Sequence, residues 1–242
     1  MKKVLSFLTA VSMLLSVFSL TAFAEEYNGI RYAVRSEQEK TCAIVEYDGY
    51  DTVLNIPAVL GGYTVTSIER EAFSNGDKLE RVVIPATVTY IGRYAFYYCV
   101  NLESVTIPNG VTYIDDHAFE NCPLLSCVVI PSSVQTIEAE AFGYFNRYDA
   151  LEKIRNFTVI GTKGSAAESY AKANGFKFLL FGDVHTDSHV NAVDARWVLQ
   201  AVAGLRALQS DSWRIADVNQ DGAINAVDAR WVLQTAAGTR TF

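Results

Sequence analysis

The chain has 242 residues and a formal net charge of −7, with 27 Asp and Glu against 20 Lys and Arg. This acidic balance excludes nucleic acid and anionic membrane surfaces as favoured partners, because both repel a negatively charged chain. Residues 182–242 contain neither Lys nor Glu. This change in composition predicts a separate C-terminal domain that follows a larger domain at 25–181.

Residues 1–24 have the pattern of a secretory signal peptide. Lys2 and Lys3 precede an apolar stretch, and Ala22-Phe23-Ala24 is the small-residue pattern at which signal peptidase cleaves. No later apolar run reaches the roughly 18 residues that a membrane-spanning helix needs. The sequence therefore predicts a secreted, extracellular protein that is not inserted in a membrane.

Residues 65–133 consist of three consecutive 23-residue repeats, and a fourth copy begins at Val134. The three copies read VTSIEREAFSNGDKLERVVIPAT, VTYIGRYAFYYCVNLESVTIPNG and VTYIDDHAFENCPLLSCVVIPSS. Units of this size cannot bury an apolar face alone, so they stack into a solenoid. The V-T-x-I and V-x-I-P segments predict two short strands in each unit, with a shared column of phenylalanines at Phe73, Phe96, Phe119 and Phe142.

Both ends of the solenoid carry signals of closure. Residues 27–54 predict a β-hairpin ahead of the first complete repeat. At the other end, GSAAESYAKANGFKF predicts a capping helix, in which Ser165 and Glu168 form a capping box and Gly175 ends the helix.

These repeats resemble the BspA-type leucine-rich repeats of secreted bacterial proteins, whose units read much like VTxIxxxAFxxCxxLxxVxIPxx. The resemblance covers residues 42–178 and is specific in the three complete copies, whereas the insertion GYFNRYDA interrupts the fourth. It implies a β-rich leucine-rich-repeat solenoid with a helical cap. It also implies a binding function, with a protein or a glycan as the ligand, and no catalysis.

Aromatic side chains indicate where such a ligand would bind. Large rigid rings provide contact area at low entropic cost, although tyrosine is also an ordinary residue on strand surfaces. The predicted ligand platform consists of Tyr90, Tyr113, Tyr144, Phe145 and Tyr148.

An enzyme is the rival hypothesis for the solenoid. Glu69, Asp115 and Glu138 share one column, and a glycoside hydrolase needs two carboxylates about 5 to 9 Å apart. The pattern includes no pocket that would raise one of their pKa values, and His117 has no nucleophile at a fixed spacing. We therefore predict a solvated acidic face without catalytic residues. A third hypothesis makes the solenoid an inhibitor or recruiter of another enzyme.

Cys99 and Cys122 occupy one column of consecutive repeats and are therefore neighbours along the solenoid axis. Two alternatives remain open for this pair. The thiols either remain free below the core or form a disulfide, which an exported protein can acquire.

The C-terminal domain contains the segment NAVDARWVLQ twice, at 191–200 and at 225–234. Extended backwards, the copies give the twelve-residue loops DVHTDSHVNAVD and DVNQDGAINAVD, whose positions 1, 3, 5, 7, 9 and 12 match the oxygen ligands of Ca²⁺. The second loop supplies Asp217, Asn219, Asp221, the carbonyl of Ala223, Asn225 and Asp228. The first loop supplies Asp183, Asp187, the carbonyl of His189, Asn191 and Asp194.

The first loop departs from this pattern at two positions. His185 stands at position 3, where calcium prefers oxygen, and Ser188 replaces the glycine at position 6. We therefore expect two calcium sites, of which the first is weaker, with water standing in for His185. Zinc is disfavoured as the ion because no cysteine lies nearby and three hard carboxylates are present.

Each loop ends in Asp and continues into a single helix, a pattern that looks like a type I dockerin over residues 182–242. The resemblance implies a small all-α module with paired EF-hand-like calcium loops that binds a cohesin domain on the scaffold of a cellulosome, a polysaccharide-degrading complex. In the family, loop positions 10 and 11 and the following helix select the partner. These positions are here Ala192, Val193, Arg196, Gln200, Ala226, Val227, Arg230 and Gln234.

Two further expectations concern the packing of the C-terminal domain. Trp197, Val198 and Leu199 and their copies have the spacing of a helical core, and the two valines at loop position 11 could instead pack between loop and helix. Residues 178–182 lack a Pro/Thr-rich spacer, so we expect the two domains to abut.

Overall fold

The computed structural model describes residues 25–148, 150–208, 210–219 and 221–240. The predicted signal peptide lies outside these residues. Two parallel stacks of short strands form the solenoid, and three helices form the C-terminal module. Among the described residues, no helix has the length and apolar character needed to cross a bilayer.

The first stack begins with an antiparallel hairpin and continues as one parallel strand from each repeat. Its strands are ordered β1-β2-β3-β6-β8-β10-β12, and β5 pairs with β6. The equivalent residues of successive V-T-x-I segments pair directly, so the register advances by one repeat for each strand. The bounds are β1 Glu25–Tyr27, β2 Ile30–Ser36, β3 Thr41–Tyr47, β5 Val59–Leu60, β6 Tyr63–Ile68, β8 Tyr90–Ile91, β10 Tyr113–Ile114 and β12 Thr136–Ile137.

The second stack contains the V-x-I-P segments. It is formed by a parallel sheet β4-β7-β9 and a parallel sheet β11-β15-β16, while β13 and β14 form a separate hairpin. Each complete repeat ends this strand before its proline, which cannot donate to a ladder. The bounds are β4 Val53–Asn55, β7 Arg81–Val83, β9 Ser104–Thr106, β11 Cys127–Val129, β13 Tyr144–Arg147, β14 Ala150–Lys153, β15 Thr158–Gly161 and β16 Lys177–Leu180.

The phenylalanine column forms a continuous stack through the solenoid core. Ring centroids lie 4.8 Å apart from Phe73 to Phe96, 4.8 Å from Phe96 to Phe119 and 4.7 Å from Phe119 to Phe142. These separations match the roughly 4.8 Å spacing of hydrogen-bonded strands, because each ring belongs to one turn of the coil. All four side chains are fully buried.

The cysteine column lies in the same core, and its thiols are free. Cys99 Sγ donates to the carbonyl of Phe73, and Cys122 Sγ donates to the carbonyl of Phe96, each at 3.2 Å. Each thiol therefore satisfies a main-chain acceptor of the preceding repeat. Of the two alternatives for this pair, the structure has the free thiols.

Helix α1, Ala166–Asn174, closes the far end of the solenoid. Ser165 accepts a hydrogen bond from Glu168 N at 3.4 Å, and Gly175 ends the helix with φ 66° in the left-handed region. The Glu168 carboxylate reaches back to Gly164 N at 2.6 Å, one residue before the position that the capping box predicts. The helix therefore begins and ends where the sequence indicates.

The C-terminal module contains α2 Ala192–Val202, α3 Ser210–Ala216 and α4 Ala226–Ala236. Its core extends into the last strands of the solenoid. Ile160 of β15 and Phe181 are buried in the same cluster as Val184, Val198 and Val232. Gly182 N also donates to the carbonyl of Ile215 at 3.0 Å. The two parts of the chain therefore abut through a shared apolar core.

Ile160→Ala should destabilise the C-terminal module, although Ile160 belongs to a solenoid strand. Removing a buried isoleucine costs about 2–5 kcal/mol, and this side chain lies in the cluster of the module. The adjacent Val159 is buried in the solenoid cluster, so Val159→Ala is a matched control on the opposite face of the strand. All three tryptophans of the chain lie between 197 and 231, so their fluorescence in a urea titration reports the module alone. An equal shift from both variants would contradict the division into two clusters.

Candidate metal centre and docking face

The second acidic loop is held closed by the carboxylate at its first position. Asp217 Oδ1 accepts from Asp221 N at 3.2 Å, and Asp217 Oδ2 accepts from Gly222 N at 3.0 Å. Gly222 has φ 85°, and a Cβ there would meet no atom within 4 Å. The left-handed backbone is therefore the reason for glycine at this turn.

The carboxylate at position 12 closes the other end of this loop and begins the following helix. Asp228 Oδ1 accepts from Asn219 N at 3.3 Å, and Asp228 Oδ2 accepts from Asn225 N at 2.8 Å. The Asn225 side chain in turn accepts from Val227 N at 2.7 Å and forms a complete capping box with Asp228. Loop closure and the start of α4 therefore depend on the same two residues.

The electrostatics of this loop favour a cation. Burial raises the pKa of Asp217, and the neighbouring carboxylates of Asp228 and Asp221 raise it further. Asp228 is fully buried. Acidic side chains that face each other with little water are stabilised by a divalent ion among them.

The donors of the second loop fit calcium. All are oxygens, and the carbonyl of Ala223 lies beside the Asn225 side chain, whose Nδ2 donates to it at 3.2 Å. Calcium takes six to eight oxygen ligands in a flexible arrangement. The residues that would hold it are Asp217, Asn219, Asp221, Ala223, Asn225 and Asp228.

The first loop has the same backbone hydrogen bonds. Asp183 accepts from Asp187 N at 3.0 Å and from Ser188 N at 2.7 Å, and Asp194 accepts from Asn191 N at 2.8 Å. Ser188 adopts φ 70°, so the turn forms without glycine at the cost of a left-handed serine. The departure at position 6 therefore leaves the loop conformation intact.

The departure at position 3 changes the interior of the first loop. His185 Nδ1 lies 2.8 Å from Asp194 Oδ1 and 3.9 Å from Asp183 Oδ1, while Nε2 lies 2.8 Å from Asp187 Oδ2. The imidazole is 18% exposed, and its hydrogen bond with Asp194 raises its pKa. His189 is the opposite case, with a ring 75% exposed and a carbonyl that accepts from Asn191 Nδ2.

This arrangement does not fit an all-oxygen calcium site. The imidazole lies between the carboxylates of positions 5 and 12, where the second loop has only oxygen donors. The expectation that water stands in for His185 treats the ring as displaced from the loop, whereas the structure places both its nitrogens among the acidic side chains. A signal was available in the sequence, because His185 is two residues from each of two aspartates.

Both helices that follow the loops expose the same side chains. Arg196 and Arg230 are exposed, and Leu199 and Leu233 are each 50% exposed. The leucines differ from the sequence expectation of core positions, while Val198 and Val232 fill the core as expected. Of the other predicted contact residues, Ala192, Ala226 and Val227 are exposed, and Val193, Gln200 and Gln234 are half-buried.

The tryptophans of these two helices pack against the core of the module and do not contribute to the exposed helix faces. Trp197 and Trp231 are half-buried and pack against the shared core. A guanidinium covers each ring, with Arg206 Cζ 3.6 Å from the Trp197 centroid and Arg240 Cζ 3.2 Å from the Trp231 centroid. The two halves of the module are thus equivalent in their buried valines, their helix caps and their exposed arginines and leucines.

The solenoid holds two of its predicted ligand-binding rings in a fixed position. Tyr90 and Tyr113 stack with centroids 5.7 Å apart, and both are half-buried. The Tyr90 hydroxyl donates to Asp115 at 2.6 Å, and the Tyr113 hydroxyl donates to Glu138 at 2.7 Å. Each ring is therefore anchored to the carboxylate of the next repeat.

The three aromatic residues of the insertion do not form one surface. Tyr144 is buried, packs edge-on against Phe176 and donates its hydroxyl to Asn174 at 2.6 Å. Phe145 is half-buried, and Tyr148 is 90% exposed in the turn of the β13–β14 hairpin. Tyr144 is therefore part of the core and unavailable to a ligand.

One carboxylate of the column, Asp115, has a pKa shifted in the direction opposite to that of a general acid. Burial raises the pKa of Asp115, but hydrogen bonds from Tyr90 and from Asp116 outweigh it, so the pKa lies below its usual value. Glu69 is paired with Arg35 at 2.8 Å. A general acid needs a raised pKa, so the direction of the Asp115 shift does not favour a hydrolase acid and base pair in this column.

His117 is likewise surrounded by acidic and aromatic groups and not by a nucleophile. Its ring stacks on Tyr94 with centroids 4.9 Å apart, and Nδ1 lies 2.7 Å from Glu120 Oε2 and 3.2 Å from Glu140 Oε2. The residue adopts φ 56° in a turn that recurs in every repeat. Its environment is thus that of a partly buried structural histidine.

Stacked 23-residue β units joined to a module of two capped acidic loops define a repeat protein with an attached small helical module. Residues 59–166 match the BspA type leucine rich repeat region in 6 copies, and residues 181–235 match the dockerin type I domain. The chain thus combines a BspA-type leucine-rich-repeat region with a type I dockerin domain. These matches confirm both resemblances and the predicted fold class.

Solved structures of leucine-rich-repeat proteins are similar to part of the chain. A T. pallidum protein is 23% identical, with 58% of this chain and 55% of that chain covered and a TM-score of 0.43. A Bacteroides capillosus protein is 27% identical, with 50% and 96% covered and a TM-score of 0.45. The chain thus spans about half the length of the first of these proteins. No curated protein matches the chain significantly.

The two matched domain types limit the general function. Leucine-rich repeats and dockerins are non-catalytic types of domain and are typical of extracellular or cell-surface proteins. Dockerin type I domains generally bind calcium, and dockerins bind cohesins. A dockerin suggests a component of a cellulosome-type assembly, and leucine-rich repeats suggest protein binding.

Proposed function

We propose that the chain is a secreted, non-catalytic component of a cellulosome-like complex that takes part in polysaccharide catabolism. Residues 182–242 attach it to the cohesin of a scaffold protein, and residues 25–181 bind a protein or glycan ligand. The chain reaches the cell surface through that scaffold. The main support is the pair of equivalent helix faces, each of which follows a closed acidic loop.

The equivalence of the two faces supports binding in two orientations. The cap residues, the exposed arginines and the exposed leucines are the same in both halves. Leu199 and Leu233 are equally exposed, so the solenoid covers neither face. A cohesin that recognises one face therefore meets the same surface after a rotation of about half a turn.

The exposed leucines supply the apolar centre of each proposed contact. Leu199 lies one turn beyond Arg196 on α2, so the two side chains share one face of the helix. An apolar centre with a polar rim is the usual anatomy of a protein interface. The arginines can donate to carboxylates or carbonyls at that rim.

Calcium supports this function by holding the loops that start the helices. Loss of the ion from the second loop leaves buried carboxylates facing one another. An ion that binds only the folded state stabilises it by RT ln(1 + [L]/Kd), about 2.7 kcal/mol at 100 times Kd. Chelation should therefore remove both partner binding and ordered structure from the module.

Leu199→Asp and Leu233→Asp together should abolish cohesin binding, whereas each alone should change the affinity by about 2-fold. A single substitution disrupts one face and leaves the other able to bind. The double variant places an aspartate in the interface in both orientations. We expect a loss of at least about 100-fold, near 2.7 kcal/mol, for the double variant. The affinities are measured by calorimetric titration of residues 25–242 with a panel of type I cohesins in the presence of calcium. Tyr50→Asp, an exposed solenoid change, is the control.

Loss of binding from one single variant would show that the partner uses one face only. Unchanged binding by the double variant would place the docking surface elsewhere and contradict the proposal. Trp fluorescence of each variant checks that the module remains folded, since all the tryptophans lie in it.

Replacing Tyr90, Tyr113 and Tyr148 with alanine should lower the affinity of the solenoid for a glycan by at least about 10-fold, because stacking area is lost. Phenylalanine at the first two positions keeps the rings and should retain most of the affinity. Pull-down with insoluble cellulose, xylan and purified cell wall measures the effect, with Tyr27→Ala as the control for an exposed ring elsewhere. Unchanged binding by the alanine variant would leave a protein ligand as the alternative.

A further inference from the structure

We propose that the two acidic loops select different ions. The second loop takes calcium, and the first takes a borderline divalent ion of the zinc class through His185, Asp183 and Asp187. This proposal rests on the acidic loops being metal loops but on no particular partner. It replaces the expectation of a second, weaker calcium site.

The geometry of the first loop supports a mixed nitrogen and oxygen site. One ligand atom from each of Asp183, His185 and Asp187 lies within 4.8 Å of the others. Nε2 of His185 is 2.8 Å from Asp187 Oδ2, so a nitrogen and a carboxylate oxygen already converge. The ring is enclosed by the loop, whereas a solvated surface histidine would be open to water.

A fourth side chain orients the imidazole as in many zinc sites. Histidine ligands of zinc commonly donate their second ring nitrogen to a carboxylate, which fixes the tautomer and the ring orientation. Asp194 fills this position, because its Oδ1 lies 2.8 Å from His185 Nδ1 and its carboxylate is fully buried. Nε2 is then the nitrogen left to bind an ion beside Asp187.

The chemistry of the donors separates the two loops. Calcium is a hard cation that takes oxygen ligands, whereas imidazole suits zinc, copper and nickel. At the equivalent position, Asn219 offers an amide oxygen, which accepts from Asp221 N at 3.1 Å. The two loops have the same backbone conformation and differ in the donor at position 3. The histidine is therefore sufficient to give them different ion preferences.

The closing experiment exploits the small number of histidines, which is three in the whole chain. Residues 25–242 are titrated calorimetrically with Ca²⁺ and Zn²⁺, separately and in competition. Co²⁺ serves as an optical probe, because its absorption reports nitrogen ligation. We expect one tight calcium per chain and one zinc or cobalt ion that excess calcium does not displace.

Matched variants assign the ions to loops. His185→Asn copies the donor of the second loop, so a second calcium should bind. Because His185 is a direct ligand in this proposal, zinc affinity should fall by at least the roughly 10- to 100-fold that loss of an outer-shell partner costs. Asn219→His should transfer a zinc preference to the second loop. His189→Gln and His117→Gln remove the other two imidazoles and should leave the zinc affinity and the cobalt spectrum unchanged.

Three results would overturn the proposal. If the native chain bound two calcium ions with similar affinity, the first loop would have the same preference for calcium as the second. A cobalt spectrum unaffected by His185→Asn would assign the nitrogen elsewhere. Absence of any zinc or cobalt uptake would mean that the imidazole closes the loop without an ion. By contrast, absence of calcium from the second loop would contradict the docking proposal and not this one.

Discussion

Replacing Asp228 with alanine is expected to abolish calcium uptake by the second loop and to unfold the C-terminal module under conditions where the native chain is folded. Asp228 is fully buried, and its two oxygens accept from the main chain of Asn219 and Asn225. Each buried N–H left without a partner costs about 1–3 kcal/mol. With the lost ion stabilisation added, the free energy of unfolding should fall by roughly 3–5 kcal/mol.

Two further variants separate the causes of this loss. Asp228→Asn keeps one acceptor oxygen for the two main-chain N–H donors and removes the charge. It should therefore retain more stability in chelator than Asp228→Ala and still bind calcium weakly. Asp194→Ala makes the same change in the first loop, where the structure places a histidine against the carboxylate. It should leave the calcium affinity of the second loop nearly unchanged while destabilising the start of α2.

Tryptophan fluorescence in urea, with calcium and with chelator, measures these stabilities in the module. Calorimetric titration with calcium gives the stoichiometry. If Asp228→Ala bound calcium with native affinity, position 12 would not be a ligand and the loop assignment would be wrong. If its stability fell equally with and without calcium, the effect would come from the helix cap alone.

The repeat period made most of the solenoid predictable. The 23-residue spacing places equivalent residues on successive turns, so the phenylalanine column and the two strand segments follow from sequence alone. The capping helix follows from its own start and stop signals. Such predictions succeed because each repeat contacts only its neighbours and the same environment recurs. The insertion breaks that recurrence, and there Tyr144 was predicted on a surface but lies in the core.

The C-terminal module shows where spacing is insufficient. Helical periodicity assigned Leu199 to a core, yet the side chain is half exposed, because the adjacent Val198 already fills the interior. The module buries its apolar surface partly against Ile160, which belongs to a solenoid strand distant in sequence from the two loops. A pattern read along one helix contains no information about such a neighbour.

The interior of the first loop was also beyond sequence reasoning. Position 3 of the loop was correctly aligned, but the effect of a nitrogen donor there depends on where the ring turns. The main-chain bonds of Asp183 and Asp194 hold the loop closed and bring the imidazole among three carboxylates. The histidine therefore changes the donors inside the loop without changing its backbone, a difference that the spacing pattern alone does not describe.

Phe96→Ala should cost the solenoid about 3–5 kcal/mol, the usual range for removing a buried phenylalanine. Phe96 contacts Phe73 and Phe119 at 4.8 Å on either side, so the substitution opens a void between two repeats and interrupts the ring stack. Because each repeat is stabilised by contact with its neighbours, a substitution in a central repeat weakens the interfaces on both sides. Far-UV circular dichroism in urea measures the loss.

Three further variants serve as controls for this prediction. Phe96→Leu refills most of the volume and should cost clearly less, whereas Tyr98→Ala, at an exposed side chain of the same repeat, should change stability by no more than about 0.5 kcal/mol. Phe142→Ala lies at the end of the stack, where Tyr170 packs edge-on against the ring, and interrupts only one phenylalanine pair. A loss at Phe142 larger than that at Phe96 would show that stability resides in the capping helix and not in the coupling between repeats.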